Sequence, residues 1–252
     1  MRNNAVNEFY VGYLPVPASL RGALRWIVLC AIAITITLVA LVAHSQRTPG
    51  EATWDTDREV KLSGVLITQP YPALVTQAES GGTEVVLLVD PGKHGTADRL
   101  RTFDGKSITV SGFSLSRGTD RLLELASGDR AIEPSATPVR QDPVPARKSL
   151  GSITLRGEIV DSKCFFGAMK PGCGKTHKEC ATLCIRGGIP PLFIVRRGEE
   201  VVQWYLLQDP SGGPIDPALL PLVGDPVELH GELSTFGPLQ LISVAPDSVR
   251  RL

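Results

Sequence analysis

The sequence has no excess of charge of either sign and few aromatic side chains. It carries 26 basic and 26 acidic residues over 252 positions, and aromatic residues make up 6%. This balance excludes a strongly basic nucleic-acid-binding protein and an acidic disordered tail as descriptions of the whole chain. Because binding of single-stranded nucleic acid relies on positive charge and aromatic stacking, we expect no nucleic acid among the partners.

Several catalytic and cofactor-binding motifs are also absent. The chain lacks the C-x-x-C-H haem attachment motif, the C-x-x-C redox motif and the G-x-S-x-G motif of serine hydrolases. Gly174-Lys175-Thr176 resembles the end of a phosphate-binding loop, but Met169 stands where that loop requires its first glycine. We therefore expect no nucleotide ligand, and a non-enzymatic function is favoured over an enzymatic one.

Glycine and proline, by contrast, are abundant. The chain contains 25 glycines and 20 prolines, and 42% of its residues are hydrophobic. The hydrophobic residues suffice for a packed core, whereas long helices tolerate this much glycine and proline poorly. The composition predicts a mainly β fold with many turns.

One long apolar run lies near the N-terminus. The eighteen residues 26–43 contain no charge, and only Thr35 and Thr37 are polar. A helix of this length spans about 27 Å, close to the thickness of the hydrocarbon core of a bilayer. A buried core helix would normally keep a polar face. We therefore predict a single transmembrane helix over residues 26–43.

The charges before this run indicate its orientation. They are three arginines and one glutamate, Arg2, Arg21, Arg25 and Glu8. The positive-inside rule then places residues 1–25 in the cytoplasm and residues 45–252 outside. The apolar run is longer than that of most cleaved signal peptides, so an uncleaved signal anchor is favoured over cleavage after Ala43.

The part of the chain outside the membrane divides at a proline-rich stretch. Residues 133–149 hold four prolines and few apolar side chains, which is typical of an extended linker. We predict one β unit over residues 58–132 and a second over 150–252. Short alternating or apolar segments predict the strands of the first unit, and residues 97–103 predict a helical stretch. This order is typical of a small closed barrel of the OB type, with a generic β-sandwich as the alternative.

The two β units show a faint internal repeat. Leu62-Ser-Gly64 corresponds to Leu155-Arg-Gly157 at an offset of 93 residues. A second set of matches has an offset of 119 residues: Ile108, Val110, Gly112 and Leu122 correspond to Val227, Leu229, Gly231 and Leu241. The second unit therefore holds 26 additional residues between its matched strands. We predict a Cys/His-rich helical insertion (residues 164–188) into a barrel that closes without it.

The insertion contains four of the five cysteines and one histidine. A helix predicted over residues 176–185 places His177, Cys180 and Cys184 at i, i+3 and i+7, so these side chains share one face. Cys164 follows a predicted strand, and Cys173 lies in a Pro-Gly loop. The candidate metal ligands are accordingly Cys164, Cys173, His177, Cys180 and Cys184.

Three interpretations of this cluster remain open. Cys164, Cys173, Cys180 and Cys184 could form two disulfides, as is common in exported proteins. Thiolates together with His177 could instead bind zinc or copper(I), although the spacing matches no common zinc module. A redox pair is the third interpretation, and the absence of C-x-x-C weakens it. The sequence identifies no other cofactor.

The insertion also resembles a known sequence pattern. Its stretches D-S-K-C and G-K-T-H-K-E-C-A-T-L-C-I-R-G-G are similar to a domain of uncharacterised bacterial exported or membrane-anchored proteins with the pattern D-x-x-C then H-x-x-C-x-x-x-C. The resemblance implies that Cys164, His177, Cys180 and Cys184 form the shared set and that Cys173 is additional. It supports the site and the compartment and implies no reaction.

These observations together predict a single-pass protein of the bacterial inner membrane with its C-terminal region in the periplasm. The favoured function is an accessory, assembly or binding subunit that handles a metal or cofactor and has a protein partner in a membrane complex. The alternative is a thiol-based redox or metal-dependent enzyme of the cell envelope.

Overall fold

The structure is a computed structural model that describes residues 16–45, 52–78, 81–135, 144–198 and 200–252. The chain separates into an N-terminal unit, Met1–Thr48, and a compact unit, Pro49–Leu252. Arg2, Glu8 and the centre of the predicted linker, residues 136–143, lie outside the described residues.

Within its described residues, 16–45, the N-terminal unit contains a single helix, α1 (Ala18–Ser45). An 18-residue window within residues 18–44 has a mean hydropathy of 2.7, so the helix is long and apolar enough to cross a membrane. The hydroxyls of Thr35 and Thr37 donate to the carbonyls of Ala31 and Ala33 at 2.9 and 2.8 Å. These bonds satisfy both polar groups within the helix itself. The helix begins about two turns before the predicted span of 26–43.

The compact unit begins with a closed five-stranded barrel. Its strands are β1 (Ala52–Ile67), β2 (Ala73–Gln77), β3 (Thr83–Val89), β4 (Ser107–Arg117) and β5 (Asp120–Leu125). They pair in the order β1-β2-β3-β5-β4, and β4 also pairs with β1, which closes the ring. A helical segment lies between β3 and β4 and consists of α2 (Ala97–Leu100) and a 3₁₀ turn, Arg101–Phe103. A short strand, β6 (Ile132–Pro134), pairs with β4.

The second half of the compact unit repeats this topology. Its strands are β7 (Arg147–Asp161), β8 (Pro191–Arg197), β9 (Glu200–Gln208), β10 (Pro226–Phe236), β11 (Leu239–Ser243) and β12 (Val249–Arg251). The order β7-β8-β9-β11-β10 closes through the pairing of β10 with β7, and β12 adds to β10. A 3₁₀ helix, Pro217–Leu222, stands where the first barrel has α2. The predicted fold class is confirmed.

Four glycines mark equivalent close approaches of backbone in the two barrels. A Cβ on Gly64 would collide with the carbonyl of Val75, and a Cβ on Gly157 with that of Ile194. Likewise Gly112 lies against the carbonyl of Glu124, and Gly231 against that of Ser243. Only a residue without Cβ allows such an approach. Gly64 and Gly157 are 93 residues apart, whereas the residues that they contact, Val75 and Ile194, are 119 residues apart. The additional 26 residues therefore lie between β7 and β8.

Side chains alternate between two cores along the barrel strands. In β3, Val86 and Leu88 fill the interior of the first barrel. Leu87 and Val89 face the opposite way, into a core that they share with Ile194 and other residues of the second barrel. Because both faces of this strand are buried, its sequence is a continuous apolar run rather than an alternation.

Side-chain hydrogen bonds, among them those of Trp204 and Tyr71, join the two barrels. The indole N–H of Trp204 donates to a carboxylate oxygen of Asp120 at 2.8 Å. The hydroxyl oxygen of Tyr71 accepts the backbone N–H of Ile215 at 2.9 Å. The two barrels therefore belong to one compact unit.

The structure differs from the sequence predictions in three places. Strand β2 was not predicted, because it has only five residues and follows Pro70 and Pro72 closely. β1 begins at Ala52 rather than near residue 58, because its polar first half pairs with the end of β4 across a bulge. The predicted linker, 133–149, is strand at both ends, where β6 ends at Pro134 and β7 begins at Arg147.

Candidate metal centre

The insertion begins with a turn fixed by Asp161, the last residue of β7. One carboxylate oxygen of Asp161 accepts the backbone N–H of Cys164 at 2.8 Å. This bond leads into a π-helical turn, Cys164–Ala168, which buries Phe165 and Phe166 in the core shared by the barrels. Cys164 is thereby held at the inner side of the insertion, with 4% of its surface exposed.

The insertion continues into a short amphipathic helix, α3 (Lys178–Arg186), preceded by a 3₁₀ turn, Lys175–His177. Ala181 and Ile185 pack into the interior core of the second barrel. Cys180 and Cys184 lie one turn apart on another face, as their spacing predicts. The helix therefore closes the barrel core on one side and presents two thiols on the other.

Three sulfur atoms meet at this face. The Sγ atoms of Cys164, Cys180 and Cys184 all lie within 4.8 Å of one another. Three sulfurs bonded to one zinc ion at about 2.3 Å are about 4 Å apart, so binding of a single ion requires the triangle to close by up to about 1 Å. Cys164 and Cys184 are buried, and Cys180 is half-buried. We call these three residues the thiol triad.

His177 is directed to a different partner. Its Nε2 atom lies 3.1 Å from the second carboxylate oxygen of Asp161, and both side chains are buried. Asp161, Cys164 and His177 form a second compact group that shares Cys164 with the thiol triad. The structure thus places His177 beside the triad but paired with a carboxylate.

Cys173 is not a member of the thiol triad. It is half-buried in the loop before the 3₁₀ turn, and its sulfur is 3.8 Å from a guanidinium nitrogen of Arg196. The five predicted ligands are therefore divided into a triad, the His177–Asp161 pair and a separate thiol. No disulfide bond joins cysteines in the part of the chain that the structure describes, which includes all five of them. The interpretation of Cys164, Cys173, Cys180 and Cys184 as two disulfides is accordingly not supported.

Lys93 of the first barrel is a component of the site that the sequence did not indicate. Its Nζ lies 2.8 Å from the sulfur of Cys180 and 3.6 Å from that of Cys184. Lys93 comes 87 residues before Cys180, in the loop between β3 and α2. No local pattern connects it to the cysteines, because the contact exists only once the two barrels have packed together.

The loop that carries Lys93 is fixed by close backbone packing. The N–H of Gly95 donates to the carbonyl of Gly187 at 2.8 Å, just after α3. A Cβ on Gly187 would collide with the carbonyl of Lys93, and a Cβ on Gly95 with that of Gly188. Glycine is therefore required on both sides of this contact.

A buried lysine, Lys163, also forms hydrogen bonds with the loop that carries Lys93. The ammonium group of Lys163 donates to the carbonyls of Asp90 and Gly92 at 2.9 and 2.7 Å. Lys163 also forms an ion pair with Glu124 of the first barrel, which compensates its buried charge. Lys163 directly precedes Cys164, so one segment positions both the loop and the first thiol.

The electrostatics of the triad favour a thiolate at Cys184. The hydrogen bond from the Cys164 thiol and the nearby Lys93 ammonium outweigh burial and bring the pKa of Cys184 down to about 7. The same hydrogen bond, together with burial, raises the pKa of Cys164. The contact with Cys180 is the main cause of the raised pKa of Lys93. The site therefore combines a donor thiol, a thiol whose pKa is lowered and a neighbouring ammonium group.

This arrangement suits two kinds of chemistry. Three sulfurs that converge on one point, with a thiolate among them, can bind a soft metal ion. A thiolate with a second thiol in hydrogen-bond contact can also exchange with disulfides.

No family model, curated protein or solved structure matches the chain.

Proposed function

We propose that this chain is a membrane-anchored accessory subunit of the bacterial cell envelope that binds one soft metal ion through the thiol triad. The observation that carries the proposal is the convergence of the Cys164, Cys180 and Cys184 sulfurs within 4.8 Å of one another. Thiolates are preferred ligands of copper(I) and zinc, so these two ions are the candidates.

The position of Lys93 supports a role in metal binding over simple packing of thiols. Cysteines that fill a core as small apolar side chains need no positive charge beside them. Here an ammonium group lies 2.8 Å from the sulfur of Cys180, and the pKa of Cys184 is lowered to about 7. Both features favour the thiolate form, which is the form that binds metals.

The location in the cell envelope is supported by α1 and its flanking charge. Arg21 and Arg25 lie on the N-terminal side of the apolar stretch, and this favours a cytoplasmic N-terminus. On this proposal α1 is an uncleaved signal anchor in the inner membrane, and the two barrels stand in the periplasm. A protein partner in a membrane complex would receive or supply the metal.

An accessory role rather than catalysis is supported by the enclosure of the triad. Cys164 and Cys184 have 4% and 2% of their surface exposed, and Lys93 lies over the remaining thiol. A catalytic metal ion needs an open position for substrate, whereas storage or transfer needs only ligands that can exchange.

The metal content of the full-length chain tests the proposal. The chain is purified in detergent without oxygen, loaded with zinc or copper(I), desalted and subjected to elemental analysis. We expect one equivalent of metal in the wild type and in Cys173→Ser, which changes the thiol outside the triad. We expect loss of the metal in Cys164→Ser and Cys180→Ser. A wild type without metal, or a Cys173→Ser variant that alone loses it, would contradict the proposal.

The topology has a separate test. A reporter that is active only after export is fused behind Leu252 and compared with a reporter that is active only in the cytoplasm. We expect activity of the first and not of the second. The opposite pattern would place the barrels in the cytoplasm and remove the periplasmic part of the proposal.

A thiol-based redox enzyme is the second candidate, and the hydrogen bond between Cys164 and Cys184 favours it. Attack of the Cys184 thiolate on a small disulfide, followed by Cys164, would leave a protein disulfide and two molecules of small thiol. Exposure of the metal-free chain to oxidised glutathione and mass spectrometry of its peptides would test this. Rapid, reversible bonding of Cys164 to Cys184 would favour the redox enzyme, and unchanged thiols would exclude it.

A further inference from the structure

We infer that Lys93 makes the thiol triad selective for a monovalent soft ion, copper(I), over divalent zinc. The inference rests on the proposed function and specifies the ion which that site accepts. It is carried by the ligand set of the triad and by the fixed position of one positive charge beside it.

The ligand set favours an ion that is satisfied by three sulfurs. Structural zinc sites are almost always four-coordinate, with sulfur or imidazole nitrogen as the ligands. The nearest described candidate for a fourth zinc ligand is His177, whose imidazole lies within 4.8 Å of the Cys164 sulfur and has its Nε2 atom 3.1 Å from Asp161. Soft thiolate ligands suit copper(I), which does not require a tetrahedral set.

The charge beside the triad acts in the same direction. The ammonium group of Lys93 lies within 3.6 Å of two of the three sulfurs, so an ion bound to those sulfurs would be close to it. A divalent ion is repelled by this charge twice as strongly as a monovalent ion. We expect this difference to change the relative affinity for the two ions about tenfold. This value lies between the effect expected with full screening by water and the larger effect expected with the weaker screening near a protein surface.

The charge is positioned by the fold. The loop of Lys93 is bonded to the end of α3 through Gly95 and Gly187, and Lys163 donates to two of its carbonyls. The carboxylate of Asp161 lies within 4.8 Å of the Cys164 sulfur, and its negative charge, which opposes the effect of Lys93, acts equally in the wild type and in a Lys93 variant. Lys93 remains the cation closest to the sulfurs among the described contacts.

Competition titrations of the full-length chain in detergent test the inference. Metal-free wild type and Lys93→Met are titrated without oxygen, once with copper(I) against a chromophoric copper(I) chelator and once with zinc against a chromophoric zinc chelator. Methionine has similar length and no charge. We expect the ratio of the zinc affinity to the copper(I) affinity to rise about tenfold in Lys93→Met.

Two further variants serve as controls. Lys93→Arg keeps the charge and should leave the affinity ratio at the wild-type value. Lys106→Met removes an exposed lysine that instead lies over the Phe103 ring and donates to the carbonyl of Thr102, and it should also leave the ratio unchanged. Circular dichroism of each variant checks that the barrels remain folded.

The outcomes separate this inference from the proposed function. Binding of both ions with the same ratio in wild type and Lys93→Met would overturn the selectivity of Lys93 and leave metal binding intact. A higher ratio in Lys93→Met that Lys93→Arg restores would support it. Absence of both ions from the wild type would overturn the proposed function and this inference together.

Discussion

The imidazole of His177 and the carboxylate of Asp161 form a buried pair, with Nε2 and Oδ2 3.1 Å apart. The other oxygen of Asp161 accepts the backbone N–H of Cys164. Asp161 thus connects the end of β7 with the first turn of the insertion and with the residue before α3. This geometry holds the imidazole of His177 beside the thiol triad.

We expect His177→Ala to destabilise the chain but to leave the metal stoichiometry unchanged. The substitution leaves a buried carboxylate oxygen without its partner, which costs about 1–3 kcal/mol. Chemical denaturation measures the loss, and elemental analysis measures the metal. His230→Ala, at an exposed histidine that contacts Thr154, is the matched control and should change neither. Loss of the metal from a folded His177→Ala variant would instead make His177 a ligand.

Gly187→Ala should weaken the contact between the Lys93 loop and α3. The new Cβ would collide with the carbonyl of Lys93 and disturb the bond from Gly95, so we expect a loss of about 1–3 kcal/mol in the free energy of unfolding. Gly22→Ala, where no heavy atom lies within 4 Å of the new Cβ, is the control. Equal stability of the two variants would mean that the loop contact contributes little.

The sequence predicted the barrels better than it predicted the site. Glycines at matched positions are required by backbone contacts within each barrel, so they repeat wherever the topology repeats and are visible in the sequence. The helical spacing of Cys180 and Cys184 likewise predicted a common face. The contact of Lys93 with these thiols depends on packing between segments 87 residues apart, and the pairing of His177 with Asp161 depends on how the insertion folds back onto the end of β7. No spacing rule describes such contacts, so they could not be predicted.

The insertion adds no strand to the second barrel, but its helix α3 packs against the interior core of that barrel. Ile185 of α3 is 8% exposed and packs in the barrel interior. We expect Ile185→Ala to lower the free energy of unfolding by about 2–4 kcal/mol. Leu183→Ala, on the same helix at a residue that is 48% exposed, should change it by less than about 0.5 kcal/mol. Similar small effects at both positions would show that the barrel core does not depend on α3.

The pH dependence of Cys184 provides a test of the triad in the metal-free chain. Its pKa of about 7 results first from the hydrogen bond donated by Cys164 and also from Lys93, against the opposing effect of burial. The ultraviolet absorbance of thiolates should therefore rise with a midpoint near pH 7 in the wild type. This step should be absent in Cys184→Ser and retained in Cys173→Ser.

Removal of either stabilising group should move this midpoint upward. Cys164→Ala deletes the donor thiol, and Lys93→Met deletes the cation. Burial raises the pKa of Cys184, and in each variant one of the two groups that lower it is missing. We expect both variants to titrate above the wild type, towards or beyond the ordinary cysteine value of about 8.5. A midpoint that stays near pH 7 in both variants would show that neither contact stabilises the thiolate. The step would then belong to another group, and the charge distribution assigned to the triad would be wrong.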